Sequence, residues 1–402
     1  MTGNEFDVAV VGGGVVGAVL AVALEQAGFA TALIEARRPQ PFDHGADFDL
    51  RQSAIAPAPR HVLEHLGIWA HIDRSRICDF GGMKVWDGAG GDTLHLAHTA
   101  VGLPELGHIV ENGLLVDRAW QQLANTSVYS PAGLADLRTH ADGAQLELDT
   151  GDRLSAALVV GAEGANSPVR RAAGIATSSW GYGQRCTVGA VKPAKHHRHI
   201  AWQRFTDTGP VAFLPLADGR CSLAWHADDV LADELAELDD TAFAERLTEA
   251  SAGVLGPIER VDSRAAFDLK LLHAHRYVTH RVALVGDAAH VVHPMAGQGV
   301  NLGLLDVAEL VAALERGRRT GASPDAPRYL ARYQRARMAD NLAMLAATDG
   351  LKRLFGSRRP VLQRARQFGV TATARLSPLR QAMIRQATGG SPTGAPLVDA
   401  PR

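Results

Sequence analysis

The sequence predicts an α/β fold, and three features of the chain carry that prediction. A buried strand, a glycine-rich turn, a helix and a second strand follow one another within the first 35 residues. A second strand–glycine–helix unit occupies residues 281–310, and alternating β segments lie between the two, over residues 86–269. Strands that alternate with helices indicate a parallel sheet. A chain of 402 residues is long enough for two or three domains.

The first unit has the pattern of a dinucleotide-binding turn. An apolar strand leads into Gly12-x-Gly14-x-x-Gly17, a helix is predicted over residues 15–27, and the next strand ends at Glu35. Gly12 makes the tight turn, Gly14 lets the backbone approach a pyrophosphate, and Gly17 lets the helix pack closely. The helix N-terminus attracts the phosphates, and Glu35 can accept hydrogen bonds from ribose hydroxyls. The prediction is a Rossmann-like domain, with FAD and NAD both open at this point.

The second unit favours a flavin. A strand over Val282–Val285 ends at Gly286-Asp287, and a loop with Pro294, Gly297 and Gly299 leads into a helix predicted from about Asn301. An acid at a strand end can bind a ribityl chain. The following helix can direct its N-terminus at the flavin edge where reduced flavin gathers negative charge.

On these residues the chain resembles the FAD-dependent aromatic hydroxylases. Residues 286–303 are similar to that family's second flavin motif, and LVVGAEGANSPVRRAAGI (158–175) is similar to its middle motif. Glu163 stands where the family has Asp, whereas Arg170 matches the motif's arginine. The resemblance narrows to the ubiquinone-biosynthesis hydroxylases of polyprenylated phenols and covers about residues 6–390. The supporting stretches are residues 47–69, 83–87, 106–112, 202–216, 293–303 and 331–345.

This resemblance implies an enzyme and its cofactors. FAD would form a C4a-hydroperoxide with molecular oxygen and transfer an oxygen atom to the phenol ring. The motif MKVWD followed by LGHIVEN favours the C5 ring position. The electron donor is NAD(P)H or a redox protein, and the sequence does not choose between them. Two alternatives stay open: a flavin hydroxylase of a small soluble aromatic, and a non-catalytic FAD-binding subunit of a quinone-biosynthesis complex.

The predicted site residues come from these motifs and from the resemblance. The cofactor-binding residues are Gly12, Gly14, Val16, Gly17, Glu35, Arg51, Gln121, Glu163, Gly286, Asp287, Pro294, Gly297, Gly299, Val300 and Asn301. Arg118 is a further candidate on the same helix as Gln121. The predicted substrate-binding residues are Phe213, Leu214 and Leu216. No catalytic side chain is assigned, because the flavin carries the chemistry.

Several histidines have two interpretations each. Residues 195–199, KHHRH, could suggest a metal site, but no carboxylate or cysteine stands at ligand spacing, so a solvated loop and no metal are predicted. His290 and His293 could relay protons or serve the structure of their motif.

The predicted domains are discontinuous. The FAD-binding domain comprises residues 1–85, 110–180 and 270–330, and the β-rich substrate domain comprises residues 86–109 and 181–269. A basic helical segment, residues 331–402, completes the chain.

The net charge of −2 is the sum of two unequal parts. Residues 351–402 contain ten Lys or Arg and one Asp, a charge of +9, which leaves −11 for residues 1–350. Leu376, Leu379, Met383 and Ile384 recur at helical spacing among three arginines. This pattern predicts either a basic amphipathic helix on an anionic membrane or a helix packed on the FAD domain.

The rest of the composition limits where the protein is expected to be located and what it is expected to bind. The near-neutral total gives no case for nucleic acid, and three widely spaced cysteines indicate neither a disulfide framework nor zinc. The start MTGNEFD lacks the positive region of a signal peptide, and no apolar stretch reaches membrane-spanning length. We therefore expect a cytoplasmic protein, and the further hypotheses are a peripheral position on the inner face of the cytoplasmic membrane and membership of a quinone-biosynthesis complex.

Overall fold

A computed structural model describes residues 5–90, 92–293, 297–355, 369, 371–388 and 395–400 of the protein. The strands are β1 (Phe6–Val11), β2 (Thr31–Ile34), β3 (Gln52–Ile55), β4 (Cys78–Phe80), β5 (Gly82–Asp87), β6 (Leu94–Ala97), β7 (Gly107–Glu111), β8 (Ser127–Tyr129), β9 (Leu134–Thr139), β10 (Ala144–Leu148), β11 (Arg153–Gly161), β12 (Thr177–Pro193), β13 (Ile200–Phe205), β14 (Pro210–Pro215), β15 (Cys221–Asp228), β16 (Ile258–Ala274), β17 (Val278–Thr279), β18 (Val282–Leu284) and β19 (His290–Val291). The helices are α1 (Val15–Gln26), α2 (Pro57–His65), α3 (Asn112–Gln121), α4 (Pro168–Ala172), α5 (Asp229–Glu237), α6 (Asp240–Ala250), α7 (Gln298–Arg319), α8 (Pro327–Phe355) and α9 (Ser377–Ala387).

The first sheet carries both glycine-rich turns. Its strand order is β17-β18-β11-β1-β2-β8, and β18, β11, β1, β2 and β8 run parallel. β10 and β9 extend it by antiparallel pairing from β11. Every residue of β2 and all but one of β1 are buried, as expected of apolar strands that are covered on both faces. The carboxyl ends of β1 and β18 therefore open at the same edge of the sheet, which is where ligands bind in such folds.

The second sheet forms the floor of a cavity. Its order is β19-β16-β12-β15-β14-β13-β5-β6, with every pair antiparallel except β13 and β5. On one face, Trp225 of β15 and Phe213 of β14 pack in a core with Phe243 of α6. The other face is turned toward the first sheet. A third, small sheet, β3-β7-β4, stands beside the two.

The fold class predicted from sequence is confirmed, with a β-rich unit beside the nucleotide-type sheet. The second sheet takes its strands from residues 82–97, 177–228, 258–274 and 290–291. The division of the chain into domains with the boundaries given above stays a prediction. Over the residues described, no helix combines the length and the apolar character that a bilayer crossing requires.

One predicted helix start was wrong by three residues. The helix after the second glycine cluster begins at Gln298, not at about Asn301, because Gly297 adopts a left-handed conformation (φ +60°) and caps it. Asn301 lies inside the helix. Its side chain instead accepts a hydrogen bond from the Ala56 N–H (3.0 Å) and donates one to the Ala54 carbonyl (2.8 Å), which ties α7 to the end of β3.

A buried carboxylate joins α7, α8 and the turn after β18. Asp306 of α7 accepts hydrogen bonds from the Gly286 N–H (3.0 Å) and from His290 Nε2 (2.6 Å) with one oxygen. Its other oxygen accepts from Arg337 Nε (2.8 Å) and Asn341 Nδ2 (3.2 Å), both on α8. Burial opposes ionisation, but His290 and Arg337 outweigh it and lower the pKa of Asp306 to about 2. The carboxylate is therefore charged and fully bonded throughout the neutral range.

We expect Asp306→Asn to destabilise the protein strongly. The amide keeps the shape of the side chain but leaves the buried Arg337 guanidinium without its buried counter-charge, a change that costs about 3–5 kcal/mol. Asp340→Asn is the matched control, because Asp340 also pairs with Arg337 (3.0 Å) but is 40% exposed. The free energy of unfolding lost in Asp340→Asn should stay below about 1 kcal/mol. Urea unfolding measures both, and equal losses in the two variants would contradict the assigned role of Asp306.

Candidate active site

The first glycine turn is shaped by two close backbone approaches. A Cβ at Gly17 would lie 1.8 Å from the Gly12 carbonyl oxygen, and one at Gly12 (φ +102°) would lie 2.6 Å from the Ala162 carbonyl. At Gly14, by contrast, no described atom lies within 4 Å of where a Cβ would be. Gly14 is the N-cap of α1 and caps it with no side chain, so the first N–H groups of the helix face that open space. The turn therefore has room and donors for a pyrophosphate.

Glu35 lies at the end of β2, directly beside this turn. Its carboxylate accepts hydrogen bonds from the Gly13 N–H (2.5 Å) and the Arg37 N–H (2.8 Å). The indole of Trp120 on α3 donates to the Gly13 carbonyl (2.8 Å) from another side. The turn is thus held by two side chains, and Glu35 is placed where a ribose next to the phosphates would meet it.

Val16 brings the two glycine clusters into contact. A Cβ at Gly303 of α7 would lie 2.5 Å from Val16 Cγ2, and one at Gly286 would lie 3.3 Å from Val16 Cγ1. Glycine at both positions allows α1 to approach α7 and the turn after β18. The sequence separates these motifs by about 270 residues, and the structure makes them one surface.

Asp287 lies on this surface and lines a cavity together with Arg51, Gly297, Gly299 and Val300. A Cβ at Gly299 would lie 3.9 Å from Asp287 Oδ1, so the start of α7 faces the carboxylate closely. The surrounding protein raises the pKa of Asp287 by desolvation, although His290, Arg51 and Lys270 oppose the rise. Pro294 lies outside the described residues.

Glu163 and Arg170 of the middle motif support the site through hydrogen bonds and are not among the residues that line the cavity, whereas Ala165 of the same motif lines it. Glu163 accepts hydrogen bonds from Ser167 Oγ (2.7 Å) and the Val169 N–H (3.0 Å) at the start of α4, and burial raises its pKa. Arg170 donates to the carbonyls of Ala165 (2.7 Å) and Ala288 (2.8 Å). The longer carboxylate at position 163 therefore still caps α4, and Arg170 links this motif to the turn of Asp287.

Gln121 and Arg118 lie away from the cavity. Gln121 is exposed on α3, where it bonds to Asp117 (2.8 Å) and accepts from Arg118 (2.8 Å). The residue of α3 that contacts the glycine turn is Trp120, which sequence reasoning missed. A large aromatic side chain on the helix next to the turn was the available signal.

The cavity has a volume of about 500 Å³ and a largely apolar floor. Of the three predicted substrate-binding residues, Leu214 lines it. Phe213 lies on the opposite face of β14, because neighbouring residues of a strand alternate, and Leu216 is buried in a core beyond the end of the strand. The floor residues on the cavity face include Cys186, Val188, Ala212, Ser222, Ala224 and His226.

The histidines singled out in the sequence differ in their hydrogen-bond contacts. His290 bonds to Asp306 and serves the structure, whereas neither ring nitrogen of the buried His293 has a hydrogen-bond partner among the described residues. The expectation of a solvated loop at residues 195–199 was wrong for His197, which is 1% exposed and bonds through Nε2 to the Leu216 carbonyl (3.0 Å). The described part of the chain contains no group of side chains suited to a metal ion.

These residues fit FAD. The open position at Gly14, the acceptor Glu35 and the cavity-facing Asp287 stand in the order in which pyrophosphate, ribose and ribityl groups would need them. The fold and the site together are those of an FAD-dependent aromatic-ring monooxygenase.

Comparison with known proteins places the chain more narrowly. It matches the family described as FAD binding domain over residues 5–347. It is 37% identical to the 3-demethoxyubiquinol 3-hydroxylase of Escherichia coli K12, over 97% of this chain and 100% of the relative. It is 39% identical to the ubiquinone hydroxylase UbiL of Rhodospirillum rubrum, over 95% of this chain and 89% of the relative. The chain belongs to the FAD-binding-domain family and, within it, to the ubiquinone hydroxylases.

A solved structure agrees with the fold. The p-nitrophenol 4-monooxygenase PnpA of Pseudomonas putida DLL-E4 superposes with a TM-score of 0.78 at 21% identity, covering 96% of this chain and 99% of that one. The predicted class, an FAD-dependent monooxygenase that uses molecular oxygen, is confirmed by the family. The roles of the individual site residues stay predictions.

Two glycine variants separate cofactor binding from folding. Gly14→Ala should leave the stability of the apoprotein nearly unchanged, since the methyl group meets no described atom, but should weaken FAD binding roughly tenfold or more by narrowing the approach of the phosphates. Gly17→Ala should instead unfold the protein, because its Cβ would overlap the Gly12 carbonyl. Thermal unfolding of apoprotein and FAD titration by fluorescence measure the two effects. Unchanged FAD affinity in Gly14→Ala would contradict the assigned phosphate site.

Proposed function

We propose that this protein hydroxylates the aromatic ring of a polyprenylated phenol in ubiquinone biosynthesis. The observation that carries the proposal is the cavity, which extends from Asp287 and the start of α7 across the apolar floor of the second sheet to α9. A cavity with a polar end and an apolar body suits a ring that bears an isoprenoid chain.

The residues of the polar end would hold the cofactor. The N–H groups after Gly14 would bind the pyrophosphate, Glu35 the ribose and Asp287 the ribityl chain. The N-terminus of α7, fixed to β3 by Asn301, would face the edge of the ring system where charge develops. Bound FAD, once reduced, supplies the activation of molecular oxygen for transfer to an electron-rich ring carbon.

The apolar body would orient the substrate and exclude water. The cavity is lined by Val188, Leu214 and Ala224 of the second sheet. Ile384 of α9 also forms part of its wall. Ile384 is 1% exposed. Low polarity around the reacting ring protects a reactive oxygen donor from water.

The finer details of this function rest on the sequence motifs. We propose hydroxylation at C5, because MKVWD and LGHIVEN resemble that branch, and we leave the electron donor as NAD(P)H or a redox protein. Association with other quinone-biosynthesis proteins likewise stays a prediction.

The function can be tested in a strain that lacks the protein. We expect a polyprenylated phenol short of one ring hydroxyl to accumulate in the lipid extract, and mass analysis of that intermediate gives the ring position. Purified holoenzyme supplied with NAD(P)H or a reduced redox protein should consume oxygen with a prenylated phenol. Turnover of hydroxybenzoates but not of prenylphenols would favour the small-aromatic alternative, and FAD-loaded protein that turns over neither class of phenol would favour the non-catalytic FAD-binding subunit.

We also propose that α9 lies on an anionic membrane surface. Leu376, Leu379 and Met383 are 52%, 47% and 41% exposed, and Arg375 and Arg380 stand among them. The same helix sends Ile384 inward to the cavity wall. One face of α9 is packed, against β6 and the turn that follows it and not chiefly against the predicted FAD domain, and the other face presents apolar and basic side chains.

We expect Leu376→Ser/Leu379→Ser/Met383→Ser to weaken binding to phosphatidylglycerol-containing vesicles by roughly tenfold or more, because less apolar surface would enter the bilayer. Val230→Ser is the control, since Val230 is 81% exposed on α5, far from the helix in sequence. Sedimentation with vesicles measures the binding, which should also fall with salt. Equal sedimentation of the triple variant and the parent protein would contradict the membrane contact.

A further inference from the structure

A histidine in the floor of the cavity has a ring nitrogen with no hydrogen-bond partner among the described residues. His226 of β15 lines the cavity on the same strand face as Ser222 and Ala224, and only 2% of the residue is exposed. Its Nδ1 is buried and makes no hydrogen bond to any described residue. The opposite face of β15 is filled by a conventional apolar core around Trp225. A polar ring on the cavity side is therefore not required by packing.

A further unpartnered group stands next to His226. The ring of His293 lies 5.0 Å from that of His226 between centroids, and neither of its nitrogens is hydrogen-bonded within the described chain. The ring of Tyr182 lies 4.8 Å from His293, and its hydroxyl interacts with Asp349. Most buried polar atoms in proteins are hydrogen-bonded, because leaving one unbonded is costly. Two neighbouring imidazoles with unpaired nitrogens, one of them in the cavity wall, point to a ligand.

The imidazoles of His226 and His293 are both uncharged at working pH. Burial, with a contribution from His293, lowers the pKa of His226 to about 3, and burial with Lys352 lowers that of His293 to about 4, against the opposing charge of Asp349. The group directly across from His226 on β12 is Cys186, whose pKa burial raises to about 12. Lys352 lies over the Tyr182 ring at 4.8 Å, on the side of α8. Each imidazole therefore offers one donor and one acceptor between pH 5 and 8.

A neutral imidazole of this kind suits a phenolic hydroxyl. The hydroxyl can donate a hydrogen bond to the unprotonated nitrogen of the ring, which then acts as the acceptor. An O-methylated ring has lost the donor. A ligand without that donor leaves the buried acceptor unpaired. Such a site therefore discriminates strongly between the two ligands.

We propose that His226, supported by His293, binds the phenolic hydroxyl of the substrate and distinguishes free phenols from their O-methyl ethers. The inference rests on the proposed function, since it assigns the group that recognises the ring oxygen of that substrate. The hydroxyl keeps its proton, and no bond other than the hydrogen bond forms. His226 is then a specificity residue, and the ring of His293 packs edge-on against it.

Binding of a matched ligand pair tests the assignment. We would titrate holoenzyme under argon with 2-farnesylphenol and with 2-farnesylanisole, and follow the flavin absorbance. The parent protein should bind the phenol at least about tenfold more tightly than the ether, and equally at pH 5.5 and 7.5. His226→Phe should bring the ratio near one, whereas His226→Gln, which keeps an acceptor, should restore part of it.

His273→Phe is the matched control. His273 is also a buried histidine of the second sheet with an unpartnered nitrogen, but it lies outside the cavity wall, so this variant should keep the parent ratio. A parent ratio near one, or a ratio unchanged in His226→Phe, would overturn the inference and leave the proposed function intact. Failure of both ligands to bind the parent holoenzyme would instead count against the proposed function.

Discussion

The site depends on one buried carboxylate. Asp306 bonds to the backbone of the turn after β18, to His290 and to two residues of α8. Without a fully bonded charge there, α7 would lose the buried polar connections that Asp306 makes to α8 and to the turn after β18, and the backbone N–H of Gly286 would be buried unpaired. That N–H belongs to the residue before Asp287. The same interaction that joins two long helices therefore fixes the direction of the carboxylate at the cofactor site.

Close packing then brings the two halves of the cofactor site into register. Val16 contacts Gly303 and Gly286, and Arg170 bridges from the middle motif to the carbonyl of Ala288. Interiors pack as tightly as organic crystals, so a side chain larger than glycine at either position would push α1 away from α7. The distance from the phosphate turn to Asp287 is thus set by residues that need not touch the cofactor.

Sequence reasoning succeeded where a motif is local and failed where the site is assembled from distant elements. The glycine turn, Glu35 and Asp287 each follow a strand within a few residues, so spacing alone locates them. Trp120 and His226 reach the site through tertiary packing, which spacing does not encode. Phe213 was chosen with Leu214 as an apolar pair, but a period of two places only one of them on the cavity side.

The charge asymmetry of the chain has a structural counterpart at the cavity. The +9 tail contributes α9, from which Ile384 and Ala387 line the cavity together with Thr388 just after the helix, and whose outer residues are apolar and basic. A substrate with a long isoprenoid chain is far more soluble in a bilayer than in water, so its ring must leave the lipid to react. If one face of α9 lines the cavity and the other face contacts the membrane, the path of the ring from the lipid to the cavity is only as long as a single helix is thick. The neutral, apolar surroundings of His226 at the inner end would then receive a ring that never needs to enter bulk water.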